Sequence, residues 1–249
     1  MYNNNEMIKL FGFPFYFAHG THVVNLPSIL KNEELNFSSE VENSENIRKD
    51  WGGGEYTYCF SIFKEFPMPS ISIFRTNLII NPQIMFEHII IFNSGWIGKP
   101  YMTKEKSEEN INNIIKCIKK DKNNTTECID SQQENYQIIH VRQFSIYLLP
   151  DDAPKRRKFK LKLIKYFITE MVPESHRQFP NTHEFLFEKH INLKKYMTHI
   201  LIDDSANRVK DKNMLNALKI SNKIMKKKKK KYSIVYTKIG TTMNDHIFE

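Results

Sequence analysis

Two strand-like segments about 165 residues apart place the strongest constraint on how this chain of 249 residues folds. The first is an apolar, aromatic run over residues 8–18, which leads into His-Gly-Thr at residues 19–21. Such a run is typical of a buried strand, which we expect to end at His19. The second is Glu-Phe-Leu-Phe at residues 184–187, and packing alone would not place the charged Glu184 in it.

The rest of the chain predicts an α+β fold, in which strands dominate both ends and helices are inserted between them. Residues 103–135 are rich in Lys, Glu and Asn with an amphipathic Ile patch, so we expect a helix followed by a polar, flexible insert. Residues 1–249 are predicted to form one domain with a basic C-terminal segment. We expect strands at residues 56–63, 78–80, 88–92, 137–149, 184–187, 200–202 and 232–236, and helices at residues 26–31, 155–167 and from about residue 212.

The formal net charge of +9 favours partners that carry phosphate groups, such as nucleotides, nucleic acid or anionic surfaces. Basic residues cluster at residues 155–158 and in a block of six lysines at residues 226–231. With the interspersed Phe and Tyr, these clusters support an alternative function as a basic nucleic-acid-binding protein without catalysis. The chain is also rich in Asn, Ile and Lys, so compositional bias accounts for part of the charge.

The three cysteines, Cys59, Cys117 and Cys128, cannot all pair, and none lies in a C-x-x-C spacing. This usage predicts a reducing, intracellular compartment and no structural zinc. No uninterrupted apolar stretch reaches about 18 residues, so we expect no transmembrane helix. The N-terminal residues lack the basic start and apolar core of a signal peptide.

Three segments of the chain occur in an order that matches a known set of active-site strands. The first is His-Gly-Thr at residues 19–21, followed by Asn25. The second is the Gly-led segment 52–61, and the third is Glu184 with Ile-Asn-Leu-Lys-Lys-Tyr at residues 191–196. Together these segments, about 60 residues in all, resemble ADP-ribosyltransferases of the poly(ADP-ribose) polymerase type, which use a His-Tyr-Glu set.

The resemblance implies the split, two-sheet β core of these enzymes with inserted helices, and NAD bound in the cleft between the sheets. It implies a glycosyltransferase that takes NAD as its substrate, uses no metal, and moves ADP-ribose in single units to a protein or nucleic-acid acceptor. The segment between Tyr58 and Glu184 matches nothing in the family, so the acceptor and the capacity for chain elongation stay open. The oligomeric state also stays open, and a family member that kept the fold without turnover is a third interpretation.

In the resembling family the first motif grips NAD. Gly20 lacks a Cβ, so backbone N–H and C=O groups can approach the nicotinamide amide closely. The imidazole of His19 can donate a hydrogen bond to a ribose hydroxyl and so orient the sugar. Thr21 stands where the family has Ser or Thr, and the resemblance counts it among the NAD-binding residues. The alternative without function is that His19 simply ends a strand.

Tyr58 is the best match to the family's middle residue, whose ring packs against nicotinamide. It follows His19 by 39 residues. Two registers fit this segment, and strand alternation places Tyr56 and Tyr58 on the same face, so Tyr56 is the second candidate. For both residues the alternative is a tyrosine that only packs in the core.

Glu184 carries the catalytic role that the resemblance implies. Loss of nicotinamide from NAD leaves an oxocarbenium-like ribose, as in glycoside cleavage, and a carboxylate beside that centre stabilises it. The same carboxylate would bond the 2′-hydroxyl of the nicotinamide ribose and orient the nucleophile. A solvent-facing strand glutamate is the alternative, and neither His22 nor His183 has an assigned role.

Overall fold

The computed structural model combines helices with one large mixed β-sheet, as the α+β prediction requires. It describes residues 3–37, 40, 54–65, 76–93, 100, 103–120, 145–166, 168, 184–203, 212–228, 233–237 and 241–248. The strands are β1 (Phe15–Thr21), β2 (Glu34–Leu35), β3 (Thr57–Phe63), β4 (Thr76–Ile80), β5 (Ile90–Asn93), β6 (Ser145–Leu148), β7 (Glu184–Phe187), β8 (Ile191–Asn192), β9 (Met197–Asp203) and β10 (Ser233–Thr237). The helices are α1 (Asn4–Phe11), α2 (Leu26–Asn32), α3 (Lys104–Lys120), α4 (Pro154–Tyr166), α5 (Leu193–Tyr196), α6 (Lys212–Lys228) and α7 (Asn244–Ile247), with 3-10 turns at Val23–Asn25 and Pro82–Phe86.

The N-terminal apolar run forms a helix and then a strand, where the sequence predicted one strand over residues 8–18. Helix α1 begins with a capping box, in which the side chains of Asn3 and Glu6 each accept from the other residue's backbone N–H. The helix ends at Gly12, whose φ of 96° is the left-handed conformation that glycine adopts without strain. Strand β1 then continues through His19 to Thr21, so the prediction that the strand ends at His19 was wrong.

Eight strands of the described chain form one sheet in the order β10-β9-β4-β1-β3-β7-β5-β6. The pair β9–β10 is parallel, and the other neighbours are antiparallel. Strand β3 joins two halves of this sheet, because residues 57–59 pair with β7 and residues 60–63 pair with β1. The sheet is therefore split at β3 into a β1 half (β10, β9, β4 and β1) and a β7 half (β7, β5 and β6), the two-part core that was predicted.

The main hydrophobic core fixes β7 against β1 across this split. Phe17 of β1 packs edge-on against Phe185 and Phe187 of β7, with ring centroids 5.0 Å and 5.4 Å apart. All three side chains are fully buried, which stabilises the fold by about 1.5–3 kcal/mol for each ring. The position of Glu184, directly before Phe185, is set by these contacts.

Helix α6 packs against α2 and against the 3-10 turn that follows β1. Lys228 of α6 donates to the carbonyl oxygens of Leu30 (3.1 Å) and Lys31 (2.8 Å) in the last turn of α2. A short antiparallel ladder between β2 and β8 links the segment after α2 to the segment after β7. The two sequence motifs are thus joined both by the main sheet and by this second ladder.

The remaining predicted elements are observed with boundaries shifted by a few residues. The strand predicted over residues 137–149 is described as β6 from Ser145 onward, and the basic helix predicted over residues 155–167 is α4. No helix within the described ranges is long and apolar enough to cross a membrane. Predicted features outside the described residues are Gly52, Gly53, Cys128, His183 and residues 121–135, 137–144 and 229–231.

Candidate active site

The end of β1 is where the two halves of the sheet part. The β1–β3 ladder has its last pair at Ala18 and Phe60, whereas the β1–β4 ladder continues to Thr21. The next residue, His19, bridges the gap, since its Nδ1 lies 2.7 Å from the carbonyl oxygen of Tyr58. Two residues that the sequence assigned to one site are therefore in direct contact.

The partner of His19 fixes the tautomer of its ring. A carbonyl oxygen only accepts, so Nδ1 carries the proton in this bond. In the neutral ring Nε2 is then an acceptor, whereas the sequence suggested that the imidazole donates to a ribose hydroxyl. A hydroxyl can donate to Nε2 instead, and only the protonated ring would donate from both nitrogens.

Gly20 and Thr21 pair with buried polar residues of β4, because Gly20 lies opposite Asn77 and Thr21 lies opposite Thr76. Asn77 Oδ1 and Thr76 Oγ1 are buried, and neither has a hydrogen-bond partner within the part of the chain that the structure describes. Thr21 is itself buried and accepts a 3.5 Å hydrogen bond from Asn25 Nδ2. A buried acceptor beside Gly20 is suited to an incoming amide N–H.

A second apolar cluster, called here the tyrosine face, lies on the side of the β7 half opposite the main core. Tyr58 lies across from Leu186, Leu186 from Ile91, and Ile91 from Tyr147, so the four side chains form one row. Tyr58, the predicted stacking residue, is 9% exposed. The full cluster is Tyr58, Ile91, Tyr147, Leu149 and Leu186, with Tyr56 and Ile89 packed against it.

Burial keeps two tyrosines of this face, Tyr147 and Tyr56, neutral. It raises the pKa of Tyr147 to about 12. It also raises the pKa of Tyr56, with Glu188 and then Glu55 acting in the same direction. These hydroxyls are therefore hydrogen-bonding groups near neutral pH, and Tyr56 lies half-buried at the margin of the face.

Glu184 is the first residue of β7, and it is only 4% exposed. Alternation along β7 puts it on the same side as Leu186, and therefore on the same side as Tyr58 of the adjacent strand. Diagonal neighbours of this kind lie roughly 7–8 Å apart. The fold thus brings Glu184, Tyr58 and His19 to one region of the split.

A buried lysine secures β6, the strand that carries Tyr147. Lys160 of α4 donates from Nζ to the Tyr147 carbonyl (2.6 Å), Glu108 Oε1 (2.6 Å) and Asp152 Oδ2 (2.8 Å). Its side chain is fully buried, so these acceptors replace the water that an exposed ammonium would have. The lysine therefore ties α4, α3 and the loop after β6 to the edge of the tyrosine face.

Three residues near the site were not predicted from the sequence: Asn93, Tyr147 and Lys160. The one available signal was that Asn93 follows directly on an apolar run, as Glu184 directly precedes one. Across the described ranges, no group of three or more His, Cys, Asp or Glu side chains is arranged to hold a metal ion.

The two basic clusters have different surroundings. In residues 155–158, Arg156 pairs with Glu108 and Asp152, and Arg157 donates to two backbone carbonyls. In the block at residues 226–231, the first three lysines end α6.

Helix α6 carries a row of exposed lysines within about 100° of its circumference, called here the lysine stripe. The lysine stripe consists of Lys212, Lys219, Lys223, Lys226 and Lys227.

No family model and no curated protein matches the chain. A structure of Thermus sp. 2.9 DarT in complex with ADP-ribosylated ssDNA is 11% identical, with 90% of this chain and 96% of that chain covered and a TM-score of 0.46. Thermus sp. 2.9 DarT in complex with NAD+ is 12% identical over 90% of this chain and 100% of that chain, with a TM-score of 0.44. Thermosipho africanus DarTG in complex with ADP-ribose is 10% identical over 89% of this chain and 49% of that chain, with a TM-score of 0.42. The chain is thus similar to DarT structures, at a level of likeness that leaves its chemistry to be argued from its own residues.

Proposed function

We propose that this chain is an NAD-dependent ADP-ribosyltransferase that moves single ADP-ribose units to an acceptor on nucleic acid or protein. One observation carries the proposal above all others. Glu184 and Tyr58 share one side of adjacent strands at the split in the sheet, and His19 is bonded to Tyr58 at the same place. A carboxylate, an aromatic ring and an imidazole, which NAD cleavage of this kind uses, thus lie in one part of the sheet, with the imidazole bonded to the backbone of the tyrosine. Glu184 and His19 are 165 positions apart in the sequence.

The arrangement suits cleavage of the bond between nicotinamide and ribose. Nicotinamide takes the bonding electron pair as it leaves, so the protein needs mainly to stabilise the cationic ribose. Glu184 supplies negative charge from a buried position, where an ionic interaction is stronger than in water. The acceptor nucleophile then bonds to the ribose carbon and releases its proton to solvent, which restores the charge balance.

The first motif and Tyr58 would hold the substrate during this step. Gly20 allows the backbone to approach the carboxamide, and Asn77 Oδ1 beside it supplies a buried acceptor for the carboxamide N–H. The ring of Tyr58 offers a flat surface to nicotinamide. His19 Nε2 accepts from a ribose hydroxyl while Nδ1 stays bonded to the Tyr58 carbonyl.

The lysine stripe of α6 favours nucleic acid over protein as the acceptor. Helix α6 has six lysines and no acidic residue, and it packs against α2, which follows the first motif. Such a helix attracts a polyanion through its phosphates. The main apolar side of α6, with Met214, Ala217 and Leu218, is buried in the fold. Its exposed apolar side chains, Leu215 and Ile220, are two separate residues and do not form the broad apolar face with which amphipathic helices enter a bilayer. The same stripe would serve the alternative function, nucleic-acid binding without catalysis.

Incubation of the purified protein with labelled NAD and a panel of acceptors tests the proposal. The panel contains single-stranded DNA, RNA and a protein mixture. We expect nicotinamide release and labelling of one acceptor class by the wild type, and a loss of about 10²–10³-fold or more in Glu184→Gln. Glu188→Gln is the matched control, because Glu188 is exposed directly after the same strand, and we expect it to retain transfer.

Each other outcome has a definite meaning. Transfer by Glu184→Gln at the wild-type rate would show that the assigned carboxylate is wrong. Label on protein alone would keep the enzyme and reject the nucleic-acid acceptor. If no nicotinamide is released, a titration with NAD decides, since binding without turnover indicates a fold that lost catalysis. Binding of nucleic acid without binding of NAD supports the alternative function.

A further inference from the structure

Glu184 lies at one end of a row of buried polar residues that crosses three strands, called here the polar row. Glu184 of β7 is directly opposite Asn93 of β5, and Asn93 is directly opposite Ser145 of β6. The three residues are 4%, 0% and 1% exposed. Most buried polar side chains in proteins are hydrogen-bonded, and neighbours within such a row are the nearest partners for one another.

The hydrogen bonds of the polar row have a direction. Ser107 of α3 donates from Oγ to the Ser145 carbonyl at 2.7 Å. Ser145 donates from Oγ to Asn93 Oδ1 at 3.3 Å. Because Oδ1 faces Ser145, the amide group of Asn93 turns its Nδ2 donor away from Ser145, toward the flank that Glu184 occupies.

The opposite orientation of the Asn93 amide is unfavourable when Glu184 is ionised. A flipped amide would set Oδ1 against the carboxylate, so two acceptors would face each other in a buried environment. The orientation given by Ser145 instead sets an N–H donor against the carboxylate, and a donor to the charged form favours that form.

We propose that Asn93 is a positioning residue, whose Nδ2–H donates to the Glu184 carboxylate, fixes its direction and keeps it ionised. Ser145 holds the Asn93 amide in the required orientation, and Ser107 holds Ser145. The catalytic role of the Glu184 carboxylate rests on the proposed function. The contact between Asn93 and Glu184 is independent of that function.

Other titratable groups lie near the polar row, on the strands and the helix that pack around it. On the same side of the flanking strands, β3 carries Tyr58 and β6 carries Tyr147, and burial raises the pKa of Tyr147 to about 12. Helix α3, which packs on β6, carries the cations Lys104 and Lys106 and the acids Glu105, Glu108 and Glu109, and Glu108 is paired with Lys160. On the β1 side of the split stands His19.

The decisive experiment is a titration of the Glu184 carboxyl by ¹³C NMR, assigned with Glu184→Gln, in the wild type and in Asn93→Asp. Asn93→Asp keeps the size of the side chain but replaces the N–H donor with a second carboxylate. We expect the pKa of Glu184 to rise by about one pH unit or more, a tenfold gain in proton affinity. Since transfer needs the ionised form, the acid limb of the rate–pH curve should move to higher pH by the same amount.

Asn81→Asp is the matched control. Asn81 is also 1% exposed, its Oδ1 accepts from the Gln83 N–H, and an aspartate can accept the same bond. We expect this variant to leave the titration of Glu184 unchanged. An unchanged titration in folded Asn93→Asp would overturn the proposal.

A second variant covers the case in which Asn93→Asp does not fold. Ser145→Ala removes the hydroxyl that orients the Asn93 amide and leaves Asn93 in place. We expect a smaller upward shift of the Glu184 pKa, and no shift would overturn the proposal. Because the titration needs no NAD, a shifted pKa in a protein that releases no nicotinamide would sink the proposed function and leave this contact standing.

Discussion

Helices α4 and α6 have almost the same charge and opposite surroundings. Helix α4 contains seven basic residues, helix α6 contains six, and neither contains an acidic residue. In α4 two of the basic side chains are buried and form contacts within the fold. Lys160 is fully buried and contacts two carboxylates and a carbonyl, and Arg157 is 5% exposed. In α6 the lysine stripe is exposed and makes no ion pair with the described part of the chain.

The difference shows that a run of basic residues does not by itself define a binding surface. Carboxylates from α3 and from the loop before α4 neutralise Arg156 and Lys160 of α4, and the aliphatic part of Lys158 lies over Gly12. The exception in α6 is Lys228, which lies on the side of the helix that faces α2. The charge that remains for a partner is therefore decided by tertiary contacts, and the following substitutions test this.

The largest expected effect is that of Lys160→Met. The substitution leaves Asp152 and Glu108 without their buried cation, and Asp152 is 6% exposed. We expect the free energy of unfolding to fall by about 3–5 kcal/mol, measured by urea denaturation. Lys162→Met, two residues along and exposed, should stay within about 0.5 kcal/mol of the wild type. Equal stability of the two variants would mean that the charges of α4 are not structural.

Arg157→Lys separates charge from geometry in α4. Arg157 donates to the carbonyls of Pro150 (2.7 Å) and Asp152 (2.9 Å), and its guanidinium lies 4.6 Å from the centroid of the Phe86 ring. Lysine keeps the charge but loses the planar fork, so we expect a loss of about 1–3 kcal/mol in unfolding free energy. If lysine is tolerated fully in the same denaturation assay, charge alone is what this position requires.

Neutralising the lysine stripe should weaken binding without weakening the fold. We expect the change of Lys219, Lys223, Lys226 and Lys227 to Gln to reduce affinity for single-stranded DNA roughly tenfold or more. The salt dependence of log K should flatten by about 3, since each phosphate contact contributes about 0.7. The control is a double change of exposed lysines on α4, Lys155→Gln with Lys162→Gln. Fluorescence anisotropy at several salt concentrations measures both, and an equal loss in the control would remove the distinction between the helices.

The smallest expected effect is that of Lys228→Gln, which tests the exception in α6. Lys228 stabilises the last turn of α2 through two carbonyls and lies 3.3 Å from Glu33. We expect a loss of about 0.5–1 kcal/mol in thermal or urea unfolding. The salt dependence of DNA binding should be that of the wild type, and a flatter slope would place Lys228 in the stripe.

Sequence alone could predict the elements whose signal is local. The alternation in β3, the apolar strand after Glu184 and the helical spacing in α6 are each readable within one segment. The prediction of a single strand over residues 8–18 was wrong because a uniformly apolar segment shows no repeat of polar and apolar residues. Without that repeat, a helix and a strand cannot be distinguished from the sequence. Gly12 and Pro14 were the available signs of a boundary.

The parts of the site that escaped prediction depend on partners far along the chain. Asn93 and Ser145 are separated by 52 positions, and Glu184 reaches Asn93 only because β7 enters the sheet beside β5. Lys160 looks the same as Lys162 in sequence, and its partner Glu108 also lies 52 positions away. A register of strands or a helix contact is needed before such residues can be distinguished.

The place of β7 in the sheet has a consequence for how the chain is made. Strands β3 and β4 both pair with β1, and all three strands leave the ribosome early, at a synthesis rate of roughly 5–20 residues per second. Strands β5 and β6 pair with each other, and among the described strands it is β7, lying between β3 and β5, that joins them to the earlier strands of the sheet. The two halves of the sheet therefore cannot join until residues 184–187, which form β7, have been synthesised. A truncated product that stops earlier lacks both this linking strand and the carboxylate of Glu184.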